Sequence, residues 1–230
     1  MKLSIIIPML NEAASIAQTL LLLQPLRRAG HEVIVVDGGS SDHSVALARP
    51  LADQVLHTAP GRAHQMNAGA HQAKWNTLLF LHADTRLPNN ATRLISAGMK
   101  KHHKSWGRFD LRLSGSHPLL RPIEFMINLR SRLSGIATGD QAIFVTKFLF
   151  CLAGGFPEIG LMEDIALSRR LKQRCGAPLC LREQVTTSSR RWERNGVLRT
   201  VLLMWSLRLA YTLGADPEQL ARVYAGQKAR

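Results

Sequence analysis

Acidic residues in this chain recur where apolar runs stop. Asp37 closes VIVVD and is followed by Gly38, Gly39, Ser40, Ser41 and Asp42; Glu12 follows SIIIPMLN with Pro8 inside it; Asp84 ends TLLFLHAD. Singly, each has a plain alternative, because Asp caps turns and glycine accepts positive φ. Together, in a chain of net charge +14, they point to a bound cation or a hydroxyl-rich ligand. The basic groups have their own pattern. GRAHQMN (61–67) opens a helical stretch after a glycine, and a helix N-terminus carrying Arg62 suits a diphosphate; an ordinary helix start with Asn67 on the surface is the competing reading. MED (162–164) starts a stretch in which Asp164, Leu167 and Leu171 share a face, so Asp164 is expected to point inward; an acid placed only by the helix dipole is the alternative. TSSRRW (187–192) sets Arg190 and Arg191, which can grip phosphate oxygens, beside Trp192, whose flat face suits a sugar or a base; a helix start with a core tryptophan competes.

These residues need a scaffold that gathers the ends of the runs. The runs at 3–8, 32–37, 54–58 and 77–84 read as strands, and 12–28, 42–49, 62–73 and a segment after Pro88 as helices. Strands apolar on both faces that alternate with helices predict a mostly parallel sheet covered on both sides. Ligands of such sheets lie beyond the carboxyl ends of the strands, so 8–12, 37–42 and 82–84 fall on one rim. The second half is less regular: strands at 105–114 and 140–147, helices at 118–134 and 163–175, and one or two helices over 191–225. The expected organisation is one domain over 1–230, with halves at 1–115 and 116–195 and a helical extension at 196–230.

Composition narrows the function classes. Thirty Lys and Arg against 16 Asp and Glu attract phosphorylated ligands, nucleic acid or an anionic membrane surface. Three cysteines without C-x-x-C spacing exclude a disulfide framework or zinc ribbon and suit a reducing cytoplasm. The first apolar run is too short for a secretion signal. The stretch 197–213 is apolar but interrupted by Arg199 and Arg208, far short of the roughly 20 residues that span a bilayer, which leaves a core helix or peripheral membrane contact. A dinucleotide dehydrogenase is excluded by PMLNEA where G-x-G-x-x-G would stand. A haloacid-dehalogenase phosphatase is excluded by His82 in its nucleophile position.

SIIIPMLNE, VIVVDGGSSD, GRAHQMNAGA, LLFLHADTRLP, GDQAIFV, GGFPEIGLMED and TSSRRW occur in the order and spacing of family 2 glycosyltransferases of the GT-A fold. More narrowly the chain resembles the bacterial subgroup that includes arsenosugar-linked glycosyltransferases and the selenosugar synthase of selenoneine biosynthesis. The resemblance implies an inverting transferase of the α/β GT-A class that uses a UDP-sugar donor. Asp37 would fix the uracil, with Pro8 and Glu12 beside it and Gly38 and Gly39 letting the backbone approach. Arg62, Gln65 and Asn67 would bind the nucleotide, with Trp192 and Asp84. HAD occupies the place of the family's Asp-x-Asp metal motif but begins with His82; His82 and Asp84 would then hold Mn²⁺ more readily than Mg²⁺. Asp164 stands at the general-base position with Glu163 orienting it, and Arg190 and Arg191 would stabilise the leaving diphosphate. Trp106 and Arg108 would line the acceptor side. The implied acceptor is an anionic small molecule, selenophosphate, with a hydroxyl acceptor as the alternative; a non-catalytic nucleotide or nucleic-acid binder is the non-enzyme reading. The rim acids argue against nucleic acid, since they repel a polyphosphate backbone.

Overall fold

The β-branched runs Ser4–Met9 and Glu32–Asp37 form β1 and β2 of a computed structural model that describes residues 1–226, the side chain of Arg191 excepted. Their alternate residues enter different cores. Leu3, Ile5, Ile7, Val33 and Val35 pack on one side of the sheet, and Ile6, Ile34 and Val36 on the other. That division is why the runs lack polar alternation.

Further strands are β3 (Gln54–His57), β4 (Thr77–Phe80), β5 (Thr85–Arg86), β6 (Trp106–Leu113), β7 (Phe144–Thr146) and β8 (Leu179–Thr187). Among the described residues they make one sheet in the order β3-β2-β1-β4-β7-β6-β8-β5. Helices α1 (Ile16–Arg28), α2 (Ser44–Ala48) and α4 (Ala91–His102) join the first core; α3 (Arg62–Gln72), α6 (Lys147–Leu152) and α7 (Glu163–Cys175) join the second. Gly69 sets the α3 contact, where a Cβ would stand 2.5 Å from Ile6 Cγ2. A third cluster unites Met162 and Ile165 with Leu203 and Leu207 of α9 (Val197–Thr212) and Leu220 of α10 (Pro217–Gly226). The remaining helices are α5 (Leu120–Ser134), which packs on β6, and α8 (Arg190–Asn195), which leads into α9.

The sheet is mostly parallel, as expected, with β4–β7, β6–β7 and β5–β8 antiparallel, and it departs from the expected pattern in three places. β4 stops at Phe80, so His82 and Asp84 lie in a turn rather than on a strand; Leu81 and Ala83 are apolar because that turn is buried. Residues 139–141 form a 3₁₀ turn, and Ala142 has φ 49°, so only 144–146 of the expected strand pair. β8 was not anticipated. Its exposed middle, Arg182-Glu183-Gln184, falls at the register jump where Phe109 pairs Leu181 and Asp110 pairs Gln184, which breaks the alternation a strand is recognised by.

Helix α5 is inverted relative to a surface helix. Glu124, Asn128 and Ser131 are buried, whereas Phe125, Met126, Leu129 and Leu133 are exposed. Along β6, β7 pairs only with Trp106 and Gly107, so the rest of that β6 edge lacks a strand. Side chains of α5 replace it: Leu111 N donates to Asn128 Oδ1 at 2.8 Å, Asn128 Nδ2 to Leu111 O at 2.9 Å, and Leu113 N to Glu124 Oε1 at 2.6 Å.

Candidate active site

The rim forms where β1 and β2 end side by side, with Met9 opposite Asp37. Asn11 takes a left-handed φ of 54°, accepts the Ser41 N–H on Oδ1 at 2.9 Å and donates its own N–H to Ser40 Oγ at 2.9 Å, so the two loops are stitched together. Glu12 is tied to the second loop by its N–H to Ser44 Oγ at 2.7 Å. Pro8 lies within β1, buried opposite Val36.

Asp37 is 2 % exposed and holds its own turn. Its carboxylate accepts the Gly39 N–H at 3.0 Å and the Ser40 N–H at 3.1 Å, with His57 Nδ1 at 3.4 Å. Burial pushes its pKa up, but hydrogen bonds from Ser40, Gly39 and His57 together outweigh it and hold the carboxyl below its ordinary value. Gly38 is closed in by Gln65, whose side-chain atoms a Cβ would meet at 3.0 Å; Gly39, at φ 94°, faces open space.

Arg190 gathers the next acids. Its Nη2 lies 3.3 Å from Glu12 Oε2 and 3.7 Å from Asp84 Oδ2, while Thr187 Oγ1 donates to Asp84 Oδ1 at 3.5 Å. Burial, then the charge of Glu12, pushes the Asp84 pKa up despite Arg190. Arg62 opens α3 after Gly61 and reaches Glu163, Nη1 to Oε1 at 3.8 Å.

The second half of the cleft centres on Gly139. Its N–H donates to Asp164 Oδ2 at 2.8 Å, and a Cβ there would lie 2.7 Å from His82 Nε2 and 3.8 Å from Asp164 Oδ2. Only glycine leaves this cradle open. Burial and then Arg62 push the His82 pKa down to about 3, so its imidazole is neutral, and Nε2 is buried with no hydrogen-bond partner. Glu163, 4 % exposed, has its pKa pushed up to about 7 by burial and then by Asp164. Asp164 accepts from Gly139 and from the Ile165 N–H at 2.7 Å, with Leu167 and Leu171 of the same face in the core.

Two residues that the sequence reading did not single out belong to this half. Asp140 Oδ1 and the Nε and Nη2 of Arg130 are buried without partners. Burial raises the Asp140 carboxyl, and burial lowers the Arg130 guanidinium although Asp140 and Asp164 draw it the other way. The signal for Asp140 was the GDQ triplet, hidden inside an apparent strand; Arg130 lies on a helix whose polar face reads as solvated surface.

Several candidates serve the frame. Gln65 Nε2 donates to Met9 O at 2.8 Å and Val36 O at 2.7 Å, tying the two strand ends. Asn67 donates to Phe156 O and accepts Phe156 N–H, both at 2.9 Å. Trp192 packs on the first core with Ile123 and Ile127. Trp106 is fully buried and donates its indole N–H to Gly176 O at 3.0 Å. Arg108 is fully buried and paired with Asp110. The side chain of Arg191 lies outside the described residues.

The site thus joins a mixed sheet with helices on both faces to acids beyond its strand ends. Residues 4–151 match the glycosyl transferase family 2 model, and the chain belongs to that family. S. aureus TarS 1-349 in complex with UDP-GlcNAc is similar at 19% identity and a TM-score of 0.66, over 82% of this chain and 58% of that one. Mannosyltransferase PcManGT from Pyrobaculum calidifontis, in complex with GDP-Man and Mn2+, is similar at 19% identity and 0.63, over 98% and 69%. Glucosyl-3-phosphoglycerate synthase from Mycobacterium tuberculosis, with Mn2+ and UDP-Glc, is similar at 17% and 0.57, over 81% and 70%. The chain spans about three fifths of the TarS 1-349 length, 61%. No curated protein sequence matches it.

Proposed function

We propose that this glycosyltransferase moves N-acetylglucosamine, with inversion, from its UDP donor to selenophosphate. The observation that carries the donor half is the gathering of Glu12 and Asp84 by Arg190 beside the Asp37 turn. The Asp37 Oδ1 accepts one weak bond from Ser40 at 3.2 Å and has capacity for an N–H of uracil. Arg62 and Arg190 receive the diphosphate and oppose the charge that grows on it as it leaves. Structures of TarS with UDP-GlcNAc and of the synthase with UDP-Glc support a uridine donor.

The residues fit a divalent ion that draws most of its ligands from the donor. His82 offers a buried, neutral, unpartnered Nε2, and the Asp84 carboxylate is short of neutralising charge. No group of three protein ligands exists among the described residues, so His82 and Asp84 would share the ion with diphosphate oxygens. Such an ion acts as a Lewis acid on the leaving group. The Mn2+ in two neighbours supports this assignment.

In the acceptor half, the open hydrogen-bond positions of Arg130 receive an oxyanion. Selenium of selenophosphate bonds to the anomeric carbon, the carbon–oxygen bond to UDP breaks, and the electron pair leaves with UDP. Water then cleaves the phosphorus–selenium bond, giving phosphate and the 1-seleno-sugar. A hydroxyl acceptor is the second reading, favoured by a carboxyl at Glu163 poised near pH 7 beside Asp164. Mass spectrometry of a reaction containing UDP-N-acetylglucosamine and freshly made selenophosphate separates them. A selenium isotope pattern on the sugar is the expected result, and UDP release with hydroxyl acceptors alone overturns the proposal.

A further inference from the structure

Helix α9 is apolar on two opposite faces, and only one of them has a partner. Val197, Thr200, Leu203 and Leu207 are buried against the rest of the molecule. Leu198, Leu202, Trp205 and Leu209, with Leu213 at the C-cap, are 60 to 79 % exposed. At about 100° per residue these five lie within an arc of roughly 80°. Arg199 and Arg208 flank that arc, each roughly 80 to 100° from its centre. A tryptophan in the middle of an exposed leucine stripe bordered by arginines is the pattern of a helix lying in a membrane interface, where apolar side chains enter the acyl boundary and cations meet lipid phosphates.

The inverted α5 adds a second outward apolar face, Met126, Leu129 and Leu133, with Phe125 beside it. A Cβ on Gly115 would meet Glu193 of α8 and Leu120 of α5, so α8, which leads into α9, packs beside the start of α5. Charge selects the occupant. The segment 197–212 contains two arginines and no acid. A second copy pairing α9 with α9 about a two-fold axis would bring arginine against arginine with no carboxylate on the helix to receive either. Residues 169–230 carry 13 basic and 4 acidic residues, which suits an anionic surface. No helix among the described residues is long and apolar enough to cross a membrane, so contact is in the plane.

We propose that the outward faces of α9 and α5 seat this protein on an anionic phospholipid bilayer. Co-sedimentation of the full chain with phosphatidylcholine vesicles, with and without phosphatidylglycerol, tests it. Binding is expected only with phosphatidylglycerol, with a loss of at least tenfold in the Leu202→Glu/Trp205→Glu variant and about fivefold per arginine in Arg199→Gln and Arg208→Gln. The shift in melting temperature produced by UDP should be unchanged in all three, which shows that the fold is intact. Failure to bind anionic vesicles overturns the proposal. So does undiminished binding by the Leu202→Glu/Trp205→Glu variant, which would make the attraction one of net charge alone. A concentration-dependent dimer dissolved by that variant would assign the face to a second copy instead.

Discussion

Glu163 and Asp164 are neighbours on one helix start and are held in opposite ways. Asp164 is fixed by two backbone N–H groups, whereas Glu163 is buried near a single distant cation, Arg62. A carboxyl whose folded pKa rises from 4.5 to about 7 destabilises the fold once ionised, so its contribution is fully present below pH 4.5 and is lost as pH rises through 7. Glu163→Gln should therefore flatten the fall of melting temperature across that window and melt higher than wild type at pH 8. Asp37 has the opposite sign. Its pKa is depressed, so its stabilisation is present above the ordinary carboxylate range and is lost as pH falls below it. At the reacting centre, Asp164→Asn with selenophosphate as acceptor should change kcat by less than about tenfold, because the nucleophile is already anionic. A loss of roughly 10² to 10⁴ in steady-state kinetics is the signature of a general base and a hydroxyl acceptor. Asp84→Asn should lose most turnover, and wild type should be inhibited by chelation and restored by Mn²⁺; full activity in excess EDTA would remove His82 and Asp84 from a metal role.

Two glycines show how elements set the site. Gly69→Ala gains up to about 1 kcal/mol of helix propensity but drives a methyl into Ile6 and Val36, an overpacking that costs about 1–3 kcal/mol, so urea unfolding should find the variant less stable. Gly139→Ala sets its methyl 2.7 Å from the buried His82 Nε2, so it should also lose about 1–3 kcal/mol in urea unfolding, and turnover should collapse because the methyl occupies the space between His82 and Asp164. The first half of this architecture was legible in the residues. Runs that divide between two cores, turns after Pro8 and Asp37, and the glycine before Arg62 are local signals, and they gave β1, β2, α3 and the rim. The second half depends on tertiary pairing. α5 looks like an ordinary amphipathic helix until one sees that β6 lacks a strand on that edge and takes Asn128 and Glu124 in its place. Arg130 was hidden on that same helix and Asp140 inside an apparent strand, while the amides of Gln65 and Asn67 tie the walls of the rim together.

Across the whole molecule, the charge of +14 is a field in which the rim acids are the exception. Glu12, Asp37 and Asp84 come from the ends of separate elements; Glu12 and Asp84 share the single guanidinium of Arg190, and Asp37 is held by its own turn. On the proposed reading, that pattern leaves a cationic approach for a nucleotide diphosphate and the Asp37 carboxylate as the acceptor group for its base. The chain belongs to glycosyl transferase family 2, and its structural neighbours include complexes with both UDP- and GDP-linked sugars, so the proposed uridine donor is tested by whether the rim distinguishes the bases. Thermal unfolding with UDP, GDP and ADP reads that discrimination directly. At about 100 times its Kd a ligand stabilises the native state by about 2.7 kcal/mol, several degrees for a chain of this size. UDP should raise the melting temperature more than GDP or ADP in wild type, and the difference should vanish in Asp37→Asn; equal shifts from all three nucleotides in wild type would contradict a uridine donor held by the Asp37 turn.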